Sequence, residues 1–215
     1  MMTRRTWRVA RRYALPPLAA GGGALLLGRR RAGLALAGIS ALALAFFRDP
    51  ERETARGVRS VYAPADGLVR EVRTVRDETL GQAERISTFL NLHNVHVNRA
   101  PFGGRIRKLE RIEGGYAPAL FGSSEENFRV RIEVEGERGP YVVVQKAGAI
   151  ARRITPYVSP GDGVRAGERI GVIHFGSRTD VLFPAGSVRV LAEEGMRVRA
   201  GMTEIARYVG EGERP

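Results

Sequence analysis

From residue 58 onward, apolar and polar residues alternate in short runs set off by glycine and proline. Val130, Ile132 and Val134, with charged residues between them, show the period of a strand buried on one face. Such runs predict strands over 68–75, 85–92, 105–112, 128–134, 141–147, 168–173, 179–183 and 187–191. Helix-period signals are few, so this region reads as mainly β (α+β), a compact barrel or sandwich.

The pattern before residue 49 is different. Two apolar runs, 14–27 and 32–47, are separated by Gly28 and Arg29-Arg30-Arg31. As a helix rising about 1.5 Å per residue, the second reaches about 24 Å, short of a hydrocarbon layer of about 30 Å. A hairpin crossing would also put the arginine triplet on the side opposite Arg4, Arg5, Arg8, Arg11 and Arg12, against the tendency of arginine to stay cytoplasmic. Residues 1–48 are therefore predicted to be a basic, apolar helical anchor, either shallow or as one span plus an interfacial segment, with 49–215 as the β domain. The competing reading is a cleavable signal peptide, since Ala43-Leu44-Ala45 has a small-x-small form. The arginine triplet and the aromatic exit Phe46-Phe47-Arg48-Asp49-Pro50 favour the anchor.

One internal echo stands out. Val164-Arg165-Ala166-Gly167 recurs as Val198-Arg199-Ala200-Gly201, which predicts two equivalent turn units about a pseudo-twofold, as in the β modules that carry biotin or lipoate. A carrier needs a lysine at a hairpin tip, and the only lysines, Lys108 and Lys146, lie outside the repeat.

Charge changes the picture little. Eight arginines and no acid within residues 1–31 account for most of the net +12, leaving +4 for the rest, so no nucleic-acid face is indicated. The absence of cysteine excludes disulfides, thiolate metal sites and cysteine nucleophiles. Histidine is restricted to His93, His96 and His174.

Candidate chemistry centres on Phe175-Gly176-Ser177-Arg178, between two apolar runs. A serine hydroxyl behind a glycine can attack the preceding carbonyl, because glycine leaves the approach open. Gly122-Ser123 offers the same pair, but in a polar loop without the flanking strands. A serine needs a base, and the base works best when a carboxylate orients it, which makes Asp66, His96 and Ser177 a candidate set. His93 and His96 lack a convincing third ligand, so no metal is expected.

With these pieces in hand, the chain resembles the phosphatidylserine decarboxylases, in their short bacterial and archaeal form. The resemblance rests on Phe46 to Arg52, Ala63-Pro64-Ala65-Asp66-Gly67, His93-Asn94-Val95-His96-Val97-Asn98-Arg99-Ala100-Pro101, Glu126-Asn127, Gln145-x-Ala-Gly148 with Ala151 to Ile154, and Phe175 to Arg178. It implies self-cleavage between Gly176 and Ser177 into fragments 1–176 and 177–215, which remain together as a heterodimer with room for further oligomerisation. Ser177 would become a pyruvoyl group, with neither metal nor pyridoxal phosphate. Asp66 and His96 would assist the cut, and His93 the decarboxylation. Phosphatidylserine would then react through a Schiff base to give phosphatidylethanolamine and CO2, with archaetidylserine as an alternative substrate. Arg152 and Arg153 are candidate phosphate contacts. The expected location is the cell membrane, peripheral or shallowly anchored, with a cytoplasmic catalytic domain. A membrane-tethered, carrier-like β module is the alternative outside enzymes. His174 and Thr179 depart from the family pattern, and Thr179, where valine is expected, reads as a neutral packing change.

Overall fold

A computed structural model describes residues 2–55, 57–116, 126–148, 153–175 and 177–210. It divides the chain into two compact units, Met1–Glu51 and Arg52–Pro215.

The first unit is a helical hairpin of α1 (Arg4–Leu26) and α2 (Arg30–Phe46). Thr3 caps α1 by accepting from Thr6 N at 3.2 Å, and Gly28, at φ 74°, makes the turn that an L side chain would strain. The helices approach closely at Gly21 and Gly33, and Ser40 Oγ donates to Ala14 O at 2.8 Å. Among the described residues no helix is long and apolar enough to cross a membrane. This corrects the alternative that included one span: α2 has only 17 residues, and α1 carries five arginines and an internal Pro16-Pro17.

The second unit is built from antiparallel strands. In chain order they are β1 (Ser60–Tyr62), β2 (Gly67–Asp77), β3 (Gly81–Leu90), β4 (Val97–Arg99), β5 (Gly104–Ile112), β6 (Arg129–Gly136), β7 (Gly139–Ala147), β8 (Arg153–Pro156), β9 (Gly163–Val164), β10 (Arg169–His174), β11 (Ser177–Pro184), β12 (Val188–Val190), β13 (Arg197–Val198) and β14 (Glu204–Tyr208). An eight-stranded sheet runs β13-β2-β3-β11-β7-β6-β5-β9, flanked by two three-stranded sheets, β1-β14-β12 and β4-β10-β8. All eight strands predicted from the alternation are present, and only strands of two to five residues were not.

These orders are a duplication. Each half has the same pairings, with β1, β2, β3, β11, β12, β13 and β14 in one and β4, β5, β6, β7, β8, β9 and β10 in the other. The hydrogen bonds repeat reciprocally. Tyr62 N donates to Pro101 O at 2.9 Å and Arg99 N to Pro64 O at 2.8 Å, while Gly201 N donates to Ala63 O at 2.9 Å and Gly167 N to Ala100 O at 2.8 Å. Gly67 and Gly104 start equivalent strands, and a Cβ at either would run into the carbonyl of Phe89 or Glu135 on the neighbouring strand. The two echoed turns meet, since a Cβ on Gly201 would lie 3.2 Å from Gly167 Cα, and so the large sheet curls into a half-barrel. Ile86, Ile132, Tyr141, Val143, Val181 and Phe183 fill its buried core.

The halves are nested. In the second half, β6 turns directly into β7 through Glu137-Arg138. In the first, the corresponding β3–β11 pair is open at Leu90 and Ser177, and the whole second half is inserted there. The chain crosses between halves twice, between β3 and β4 and between β10 and β11.

Candidate active site

Those two crossings carry the histidine motif and the Gly-Ser motif. Residues 91–96 form a turn made by Asn94, whose Oδ1 accepts from Asn91 N at 2.8 Å. His93 is exposed on this turn, while His96 is buried, with Nδ1 3.0 Å from Asn94 O. At the other crossing, β10 ends on buried His174, whose Nε2 is 3.0 Å from Thr155 Oγ1. Phe175 follows at φ 49°, a left-handed conformation that a bulky residue rarely adopts.

Ser177 opens β11 in the middle of the sheet, opposite Leu90 on one side and Ala147 on the other. It is fully buried, and its Oγ has no hydrogen-bond partner among the described residues. A buried hydroxyl without a partner costs about 1–3 kcal/mol, and such an exception requires an explanation.

Register brings His96 to the same level. Ile173 N donates to His96 O at 3.1 Å, and Asn98, two residues on, pairs with Gly171. Gly171 lies against the Gln145 side chain, and Gln145 pairs with Thr179. Thr179 Oγ1 donates to Asn98 Oδ1 at 3.2 Å, so Asn98 lies over Thr179, and His96, two residues before Asn98 as Ser177 is before Thr179, falls level with Ser177.

Asp66 does not complete a row with them. Its carboxylate is buried against Arg52, with Arg52 Nη2 to Oδ2 at 2.8 Å and Nη1 to Oδ1 at 2.5 Å, and it accepts from Ala200 N at 2.8 Å. The expected bond from Asp66 to His96 is not present among the described residues. Arg153 is exposed on β8, in register with His174. Gly176, Arg152 and the competing Gly122-Ser123 pair lie outside the described residues.

The opposite face of β11 is ionic. Arg178 Nε donates to Asp180 Oδ1 at 2.7 Å and its Nη2 to Ser87 Oγ at 2.8 Å, while Lys146 Nζ lies 2.9 Å from Asp180 Oδ2. Burial pushes the Asp180 carboxyl up, but Lys146 and Arg178 outweigh it and hold it below the ordinary range.

Sequence reasoning gave Arg52, Phe175, Asn98 and Gln145 no role. Arg52 sits in the quoted Phe46 to Arg52 segment, and Asn98 shares strand parity with His96. These were the available signals. Thr179 is not a neutral packing change, since its Oγ1 donates to Asn98 Oδ1 at 3.2 Å in the buried interior.

Residues 39–206 match the sequence profile described as phosphatidylserine decarboxylase. The chain belongs to the phosphatidylserine decarboxylase family. It is 42% identical over 205 residues to a phosphatidylserine decarboxylase proenzyme of Streptomyces coelicolor, covering 93% of this chain and 91% of the relative. A Thermobifida fusca protein of the same name is 44% identical over 201 residues, covering 91% and 89%. A Halobacterium salinarum protein provisionally named an archaetidylserine decarboxylase proenzyme is 42% identical over 204 residues, covering 94% and 96%. In this family member, Asp66, His93, His96, Arg153 and Ser177 all fall inside the matched span.

Proposed function

We propose that this chain is a self-processing, pyruvoyl-dependent phosphatidylserine decarboxylase. The observation that carries the reading is the orphaned, buried hydroxyl of Ser177, the serine of the Gly-Ser pair, two residues beyond the left-handed Phe175.

Ser177 Oγ attacks the carbonyl carbon of residue 176. The peptide C–N bond breaks, an ester forms, and residue 177 gains a free amine. Loss of the Cα proton of residue 177 expels residue 176 as a carboxylate and leaves dehydroalanine, which tautomerises, takes up water and releases ammonia to give the pyruvoyl ketone. His96, level with Ser177, is the base for the hydroxyl proton. Asp66 supports it indirectly. With Arg52 and Ala200 N it fixes the segment carrying Pro64, whose carbonyl accepts from Arg99 N at the end of β4.

When formed, the pyruvoyl group supplies an amine-reactive carbonyl that accepts the electrons released with CO2. The exposed His93 serves the decarboxylation, and Arg153, with Arg152, contacts the lipid phosphate. The two fragments stay together as a heterodimer.

Residues 1–48 form a shallow anchor that keeps the enzyme peripheral at the cell membrane, with the catalytic domain cytoplasmic. Its support is a run of exposed apolar side chains on the hairpin, including Leu26, Leu27, Leu34 and Leu42, beside arginines suited to anionic head groups. Relatives named for phosphatidylserine and for archaetidylserine match at the same 42%, so an ether-lipid substrate is the second reading. A carrier-like module of the biotin- or lipoate-bearing kind is disfavoured, since Lys108 and Lys146 lie on β5 and β7 and not in the turns at Gly167 and Gly201.

Denaturing mass spectrometry tests the proposal. Two fragments, 1–176 and a 39-residue 177–215 beginning in pyruvoyl, are expected, and Ser177→Ala should leave one chain of 23.5 kDa. An intact wild-type chain would refute it, and fragments persisting in Ser177→Ala would move the junction elsewhere.

A further inference from the structure

Three buried polar atoms on one face of the site have no partner among the described residues: Ser177 Oγ, Asn98 Nδ2 and Gln145 Oε1. Asn98 and Gln145 join at one edge only, Gln145 Nε2 donating to Asn98 Oδ1 at 2.7 Å, and Thr179 Oγ1 shares that acceptor at 3.2 Å. The free edges therefore present the Asn98 NH2 group as donor and the Gln145 carbonyl as acceptor. Ser177, Asn98, Gln145 and Thr179 are all essentially inaccessible to solvent.

The duplication shows that folding does not require polar residues here. Under the approximate twofold, Thr179 corresponds to Tyr141, Gln145 to Phe183 and Asn98 to Val61, because β11 pairs with β7 symmetrically and Tyr62 corresponds to Arg99. Those three twins belong to the hydrophobic core, with the Tyr141 and Phe183 rings 5.9 Å apart. The same scaffold position is apolar at one end of the sheet and carboxamide-lined at the end that holds residue 177. Unsatisfied buried groups cost about 1–3 kcal/mol each, so an apolar set would serve stability better.

Resting on the decarboxylase reading, we infer that Asn98 and Gln145 form the receptor for the substrate's amino-acid head group beside residue 177. Asn98 Nδ2 donates to the carboxylate, Gln145 Oε1 accepts from the amine, and Thr179 holds Asn98 in place. The product lacks the carboxylate, so it loses the Asn98 bond and leaves more easily than the substrate.

Asn98→Asp tests this, because it keeps the oxygen that serves Gln145 and Thr179 and replaces only the free donor with a repelling oxygen. Denaturing mass spectrometry should show complete cutting in the variant. KM for phosphatidylserine should rise at least about tenfold; glycerophosphoserine should raise the thermal midpoint of the wild type more than glycerophosphoethanolamine, and should lose that advantage in the variant. Gln145→Glu, which keeps an acceptor, should retain a KM closer to wild type than Gln145→Met. Unchanged KM in Asn98→Asp, or loss of cutting and of thermal stability together with activity, overturns the inference and leaves the decarboxylase reading standing. A wild-type chain that neither cuts nor decarboxylates overturns both.

Discussion

Arg52 and Asp66 form a two-pronged, buried ion pair that occupies both carboxylate oxygens, with Ala200 N as a further donor to Oδ1. Removing one partner of such a pair costs about 3–5 kcal/mol. Arg52→Ala should therefore lower the unfolding free energy by about that much in a Ser177→Ala background, as measured by urea titration. In the cleavable chain it should slow fragment appearance, and so should Asp66→Asn. Faster cutting in Arg52→Ala would show that Asp66 works directly on His96 once released.

Phe175 holds φ 49° beside the junction. A left-handed conformation costs an L residue roughly 1–2 kcal/mol, and glycine avoids most of that. In a Ser177→Ala chain, Phe175→Gly should raise the unfolding free energy by about 1 kcal/mol. A clear decrease would mean that the ring's packing outweighs the backbone strain.

Thr179→Val is nearly isosteric and removes the bond to Asn98. The expected loss is about 1 kcal/mol. No loss would restore the view of Thr179 as a packing residue alone.

Asp180 and Asp77 set an acid limit. Burial pushes both carboxyls up, but Lys146 and Arg178 for Asp180, and Arg131 with the Leu80 and Thr79 amides for Asp77, bring them below their ordinary values. Groups with depressed folded pKa values bind fewer protons in the native state. Their contribution is thus fully present above the unfolded value of about 3.9 and disappears as pH falls through the folded values. Urea midpoints should hold from pH 7 to about 5 and then fall steeply below about 4. Asp180→Asn should start lower and fall less steeply. A midpoint that rises on acidification would refute the assignment.

Much of this was legible locally. Strict alternation such as Val130, Ile132 and Val134 marks a strand because one face is buried, and every long strand announced itself this way. The short strands β1, β4, β8, β9, β13 and β14 did not, since two to five residues carry too little period and owe their form to tertiary pairing. The echo at residues 164–167 and 198–201 was the visible trace of the duplication, but nesting is a property of strand order, which no local pattern encodes. Ser177, His96 and Asp66 could be named from their neighbours in sequence. That Asp66 binds Arg52 rather than a histidine could not, because an aspartate takes whichever partner packing brings nearest.

Strand β11 lies at the centre of the large sheet, bonded along its length to β3 and β7. Until those neighbours close on it, Ser177 has no buried environment and His96 has no fixed level relative to it. On the proposed mechanism the self-cutting step follows folding, and the appearance of the short fragment would work as a clock for native structure. A chain that misfolds would then never acquire its reactive group, so folding itself would proofread every decarboxylation-competent molecule.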